Sequence, residues 1–279
     1  MKTGLIDVGG GMRGIYAAGV LDCCLDEKID FDLCIGVSAG SANIASFLAG
    51  QKGRNYKFYT EYAFRKEYMS LRNFVHTGNF VDLDYVYGTL SNTEGEYPVD
   101  FEHFTNNPSE FIVVATNAYN GLPEYFYKKD VVLDHYDVFK ASSDLPFFCQ
   151  PYDVEGTPYY DGGISDPIPV EKAFEEGCDK VVVLLTRPKD YIRDPKKDNV
   201  IAGLIHKEYP EAADKLKKRY SIYNDQILKL KKYAEEGKVL IISPDDTCGV
   251  DTLVKDKEAL DKLYHKGYED AKVIREFLK

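Results

Sequence analysis

Residues 33–51 (LCIGVSAGSANIASFLAGQ) run for 19 residues without a charge, and no other stretch constrains the fold as much. That length is close to what a helix needs to cross a bilayer. Three serines, three glycines, Asn43 and Gln51 dilute the run, so it reads as a segment buried inside a folded domain, where a charge would be costly. It also divides in two. Residues 32–36 (DLCIG) read as a strand, and the small residues through Leu48 carry a helical pattern. Gly36-Val37-Ser38-Ala39-Gly40 joins them, so a serine between two glycines sits at a strand-to-helix turn.

The same strand-then-helix grammar recurs along the first two thirds of the chain. Residues 3–8 (TGLIDV) read as a strand, followed by Gly9-Gly10-Gly11 and a helical pattern over residues 12–27. Residues 111–115 (FIVVA) and 181–185 (VVVLL) are unbroken apolar runs of the kind that lie inside a parallel sheet covered on both faces. Between them the pattern predicts a helix near residues 138–143 and a hairpin-like stretch around Glu155-Gly156 and Asp161-Gly162-Gly163. The expected class is α/β, a layered fold with its ligand site at the carboxyl ends of the strands.

From about Lys189 the chain turns polar. Leu216, Tyr220, Tyr223, Ile227, Leu230 and Ala234 then mark a helix, with Gly237 at its stop. Residues 238–243 (KVLIIS) read as a further strand, and a last helix is expected from about Leu253 to Leu278 along Leu260, Leu263, Ala271, Ile274 and Phe277. The expected division is a domain over residues 1–188 and a mainly helical extension over residues 189–279 packed on it.

Charge narrows the function classes. The net charge of −11 opposes a nucleic-acid binder, which needs a dominant basic field. Residues 189–240 differ, with 13 Lys and Arg against 9 Asp and Glu, whereas the other 227 residues carry 22 against 37. That basic segment, with Tyr209, Tyr220, Tyr223 and Tyr233, could lie on an anionic membrane surface, or it could be a solvated helix face packed through its apolar stripe. Six cysteines form no CxxC pair and five histidines form no metal-ligand spacing, so no metal or cofactor is expected. Asp7 and the three glycines interrupt the apolar stretch that a signal peptide would need after Lys2. A cytoplasmic protein with reduced cysteines is therefore expected.

Three glycine-bearing motifs carry the chemistry. Gly9-Gly10-Gly11-Met12-Arg13-Gly14 matches GxGxxG, whose bare N–H groups could cradle a nucleotide phosphate, stabilise a transient oxyanion, or simply make a tight turn. Gly36-Val37-Ser38-Ala39-Gly40 is a GxSxG after a strand, the arrangement of a nucleophile elbow. A dinucleotide-binding unit would instead end that strand in an acid that holds the ribose. Such a serine needs a base, and neither His206 nor His265 has a neighbouring turn to aim it. Asp161-Gly162-Gly163 offers a carboxylate, although Asp-Gly is also a common hairpin turn.

The order GGGMRG, GVSAG, DGG over residues 3 to 186 resembles the patatin-like lipid acyl hydrolases. Residues 114–121 (VATNAYNG) and 141–151 (ASSDLPFFCQP) resemble family segments that precede the DGG, and Val37 departs from the more frequent threonine. The resemblance implies a three-layer α/β/α fold with a mostly parallel sheet. It also implies an acyl-ester lipid substrate and a Ser-Asp dyad of Ser38 as nucleophile and Asp161 as base. The Gly10-Gly11-Met12-Arg13 backbone would serve as oxyanion hole, with Gly9 and Gly14 in the same turn. Gly36 and Gly40 would shape the elbow, and Gly162 and Gly163 the dyad turn. Arg13 could hold a phosphate headgroup or brace the glycine loop against a carboxylate.

Overall fold

The computed structural model describes residues 1–253 and 255–279. Strand β1 (Thr3–Asp7) leads through the glycine turn into helix α1 (Ile15–Glu27), and β2 (Leu33–Val37) leads into α2 (Ala39–Leu48). Helices α3 (Arg54–Thr60), α4 (Leu71–Thr77) and α5 (Phe101–Asn106) precede β3 (Glu110–Asn117) and β4 (Pro123–Tyr127). Next come α6 (Asp137–Ser143), β5 (Tyr152–Val154), β6 (Thr157–Asp161), α7 (Val170–Glu175) and β7 (Lys180–Leu184). The chain ends with α8 (Lys196–Ile205), α9 (Pro210–Glu235), β8 (Val239–Ile242), α10 (Lys257–Asp270) and α11 (Ile274–Phe277).

Strands β3, β2, β1, β7 and β8 lie side by side in that order and are mutually parallel. Strand period explains their apolar runs. Leu5, Cys34, Phe111 and Val182 point to the face covered by α1, α2 and α10. Their neighbours Ile6, Ile35, Ile112 and Val183 point to the opposite face, covered by α7 and α9. The result is the expected three-layer α/β/α fold. On α9, Tyr223, Ile227 and Leu230 are buried against the sheet, each contributing on the order of 1.5–3 kcal/mol.

The segment after residue 188 therefore enters all three layers: β8 extends the sheet, α9 covers one face and α10 the other. Two details differ from expectation. Tyr220 lies outside the buried stripe of α9, whose inward residues begin at Ala212, Ala213 and Leu216. The last helix starts later than expected, at Lys257, because the Asp256 carboxylate caps it by accepting the Glu258 and Ala259 N–H groups at 3.1 Å. It also breaks into a 3-10 turn at Ala271–Val273. Of the stretch expected to begin that helix, Val254 lies outside the described residues.

One register offset places the functional turn. Against β3, β2 pairs from Leu33↔Glu110 to Val37↔Val114 and then ends. The opposite edge of β3 is occupied by β4. Strand β6 enters antiparallel on the edge that β2 has vacated, with Asp161 opposite Ala115. Asp161 thus occupies the position that β2 would have filled had it continued past Val37 into Ser38.

Candidate active site

Ser38 connects β2 to α2 with φ 57 and ψ −135, a conformation that a residue with a side chain adopts only when its surroundings enforce it. Those surroundings are identifiable. The Ser38 N–H donates to Ser142 Oγ at 2.9 Å, and the Ser142 hydroxyl donates to the Val114 carbonyl at 2.6 Å. The Ser38 carbonyl accepts the Ser41 N–H at 2.9 Å and the Ser41 hydroxyl at 2.6 Å. The turn also requires its glycines. A Cβ at Gly36 would run into the Ser41 backbone, and one at Gly40 into the Asp7 backbone and, at 2.8 Å, the Asp7 carboxyl carbon.

Asp161 ends β6 and is 2 % exposed. Burial raises its pKa above the ordinary carboxylate value, while the Arg219 charge, the Ser38 hydroxyl and the Gly163 N–H act in the opposite direction. The Gly163 N–H donates to Asp161 Oδ1 at 2.8 Å, and the Ser38 hydroxyl is a neighbour that favours its charged form. The Asp-Gly pair is therefore no hairpin turn: Gly162–Ile164 forms a 3-10 turn, with Gly162 packed against the Val114 carbonyl. His206 and His265 are both exposed and line neither cavity at Ser38.

The glycine turn after β1 approaches Ser38 from the other side. Gly9, Gly10 and Gly11 all have positive φ, 64, 120 and 60 respectively. The Gly9 N–H is occupied by Asp7 Oδ1 at 2.9 Å and the Met12 N–H by the Thr252 carbonyl at 2.9 Å. Between them, the Gly10 and Gly11 N–H groups have no partner among the described residues. Met12 is buried in the wall of the apolar cavity described below. Arg13 donates to Asp251 at 2.6 Å and to the Thr252 hydroxyl at 2.9 Å, so it braces the loop against a carboxylate. Gly14 faces Tyr59 and Asn43 and lines neither cavity.

Sequence reasoning missed three further groups. Asp7 is fully buried beneath the turn; burial lifts its pKa to about 6 against the hydrogen bonds from Asn43 (2.9 Å) and Gly9. Asn43 also donates to the Gly14 carbonyl at 3.0 Å and accepts from Tyr59 at 3.2 Å, tying the turn to α2 and α3. Asp144 accepts the Asp161 N–H on its carbonyl at 2.8 Å, while its own carboxyl is buried and Oδ1 is unpartnered. Burial, reinforced by Asp161, raises the pKa of that carboxyl well above the ordinary carboxylate value.

Two cavities meet at Ser38. One is apolar and runs inward between α2, α3 and α6, lined by Met12, Phe58, Met69, Leu83 and Val86 among others. The other is a wider cleft lined by Gly10, Asp161, Gly163 and a group of arginines. Gly11, Ser38 and Leu145 border both.

An α/β/α protein with an elbow serine between an apolar slot and a polar cleft has the layout of an ester hydrolase. The chain belongs to the patatin-like phospholipase family, whose model matches residues 8–174. Residues 209–278 match a second family model, described as a domain of unknown function (DUF6363). The chain is 33% identical over 200 residues to the uncharacterized protein YjjU of Escherichia coli strain K12. That match takes in 70% of this chain and 55% of the relative, so the match spans about half the relative's length. The crystal structure of VipD from Legionella pneumophila is similar at 14% identity with a TM-score of 0.49, covering 99% of this chain and 67% of that one. Among the described residues, no helix is long and apolar enough to cross a membrane.

Proposed function

We propose that the protein is a serine hydrolase that releases fatty acid from phospholipids, lysophospholipids or other acyl-ester lipids through a Ser38–Asp161 dyad. The observation that carries this reading is the junction at Ser38. A strained serine, a buried carboxylate and two backbone N–H groups without a partner among the described residues converge there, where an apolar slot meets a polar cleft. The slot suits an acyl chain and the cleft suits the alcohol side of the ester.

In this mechanism Asp161 takes the Ser38 hydroxyl proton as Oγ attacks the ester carbonyl. The carbonyl oxygen becomes an oxyanion and accepts the Gly10 and Gly11 N–H groups. Collapse breaks the ester C–O bond, and the leaving alcohol takes the proton from Asp161. Water then gives a proton to Asp161 and attacks the acyl-enzyme; fatty acid departs as Ser38 recovers its proton. Burial of Asp161 favours this role, because an ordinary carboxylate is too weak a base for a hydroxyl.

A fluorophosphonate probe labels the native protein and not Ser38→Ala, while His206→Ala and His265→Ala keep near-native turnover. Labelling that survives Ser38→Ala, or a dead histidine variant, refutes the dyad.

A further inference from the structure

Four arginines are drawn together around the polar cleft: Arg13 after β1, Arg187 after β7, Arg193 before α8 and Arg219 on α9. Two carboxylates pair with all four, and Asp161 in the same cleft also faces the Arg219 charge. Asp198 takes Arg193 in a two-pronged pair at 2.9 and 3.0 Å and stands 3.8 Å from Arg219. Asp251 takes Arg13 at 2.6 Å and Arg187 at 3.3 Å. The group is thus left with more positive than negative charge in a partly buried place, where like charges repel strongly. The crowding shows in the groups themselves. Burial and then the Arg187 charge hold Arg13 down to about 10; burial and then the Arg193 charge hold Arg219 down to about 10.

Donors are also left over. Among the described residues the Nε atoms of Arg13 and Arg219 are buried without a partner, and Arg219 makes no hydrogen bond, only its long ion pair with Asp198. Excess charge and unused forked donors in one cleft call for an anion with at least two acceptor oxygens. Position decides where that anion resides. The cleft is continuous with Ser38 on the side away from the apolar slot, which is the side of the leaving alcohol.

Resting on the acyl-hydrolase reading above, we infer that Arg219, Arg193 and Arg187 form a phosphate-binding subsite for the leaving-group side of the substrate. The enzyme then selects acyl esters whose headgroup carries an anionic phosphate. Two of the three arginines come from the segment after residue 188, which gives that segment a part in substrate choice.

The test compares kcat/KM for a short-chain phosphatidylglycerol with that for the diacylglycerol bearing the same acyl chains, both kept monomeric so that surface binding plays no part. The native protein prefers the phosphorylated ester at least tenfold, and Arg219→Gln and Arg193→Gln each cut that ratio at least tenfold. Lys229→Gln, a charge removed from the exposed side of α9, leaves the ratio unchanged and controls for net charge. Should Arg219→Gln fail to fold, Arg187→Gln, whose side chain is partly exposed, must still lower the ratio.

Inorganic phosphate supplies an independent arm: it raises the Tm of Ser38→Ala, and the rise disappears when Arg219→Gln is added. A native ratio near one, or a ratio that none of the arginine variants moves, overturns the subsite. Phosphate binding combined with equal cleavage of both esters also overturns it, assigning the arginines to a free anion. No cleavage of either ester, with phosphate binding intact, overturns the hydrolase reading instead, and with it the ester part of this inference.

Discussion

Replacing Asp7 with asparagine probes the buried floor of the glycine turn. Asp7 is fully buried, and its pKa rises from 3.8 to about 6, chiefly because burial disfavours the charged form. The sign follows from linkage. A carboxyl whose folded pKa is raised favours folding most when protonated in both states. Its contribution therefore declines as pH rises from below 3.8 to above about 6, and then levels off. The interval corresponds to about 3 kcal/mol, most of it lost between about pH 4 and pH 6.5. The amide introduced by Asp7→Asn keeps an acceptor for the Gly9 N–H but does not titrate. It also meets the Asn43 amide in place of Oδ2, a penalty that is independent of pH. Unfolding free energies from urea titrations of both proteins across this range should therefore differ by a pH-dependent amount, moving by roughly 2 kcal/mol in favour of Asp7→Asn as pH rises. Other titrating groups cancel in the difference. A flat difference across the range refutes the argument that a charged Asp7 is held under the turn.

Two further predictions concern turnover. Gly10→Ala places a Cβ 2.6 Å from the Thr186 hydroxyl at a backbone φ of 120, displacing one of the two free N–H donors; kcat should fall roughly 10²–10³-fold with KM little changed, and a pure KM effect would remove Gly10 from the oxyanion role. Asp161 must be ionised to accept a proton, so kcat/KM should fall as pH drops through its raised pKa, on an acid limb displaced above the ordinary carboxylate value; Asp161→Asn should lower turnover by at least ~10²-fold and abolish that limb, and a limb that persists assigns it to another group.

What the sequence disclosed was whatever depends on local period and glycine geometry. The parallel strands were legible because both faces of each are apolar, and the elbow because Gly36 and Gly40 flank a serine after a strand. The proximity of Asp161 to Ser38 was not derivable from local pattern, because it arises from β3 outrunning β2 and β6 filling the gap. Asp7 read only as a charge interrupting an apolar stretch, and Asn43 as a polar dilution of an uncharged run; their mutual hydrogen bond gives both a purpose. The basic segment packs through its apolar stripe, the second of the two readings its sequence allowed. Tyr223 is buried, Tyr209 packs on Tyr160 and Tyr233 on Phe174, so three of its four tyrosines face the molecule. Arg193 and Arg219, which charge counting could not separate from surface lysines, point toward the cleft at Ser38.

These placements explain why the Gly10 and Gly11 N–H groups of the glycine turn have no partner among the described residues. Asp7 holds it from beneath through Gly9, and Thr252, in the loop after β8, holds it from outside through Met12. The Thr252 backbone also rests against Gly11, and Asp251 anchors Arg13 one residue beyond Met12. The donors on either side of Gly10 and Gly11 are thus both committed, so the turn cannot relax to bond its free N–H groups internally without giving up a buried partner. Donors fixed in this way need no reorganisation when negative charge develops, which is the condition under which they lower a barrier most. The loop after β8 therefore contributes to the same turn that the first glycine motif announces, which ties the C-terminal segment to the chemistry proposed at Ser38 as well as to the cleft beside it.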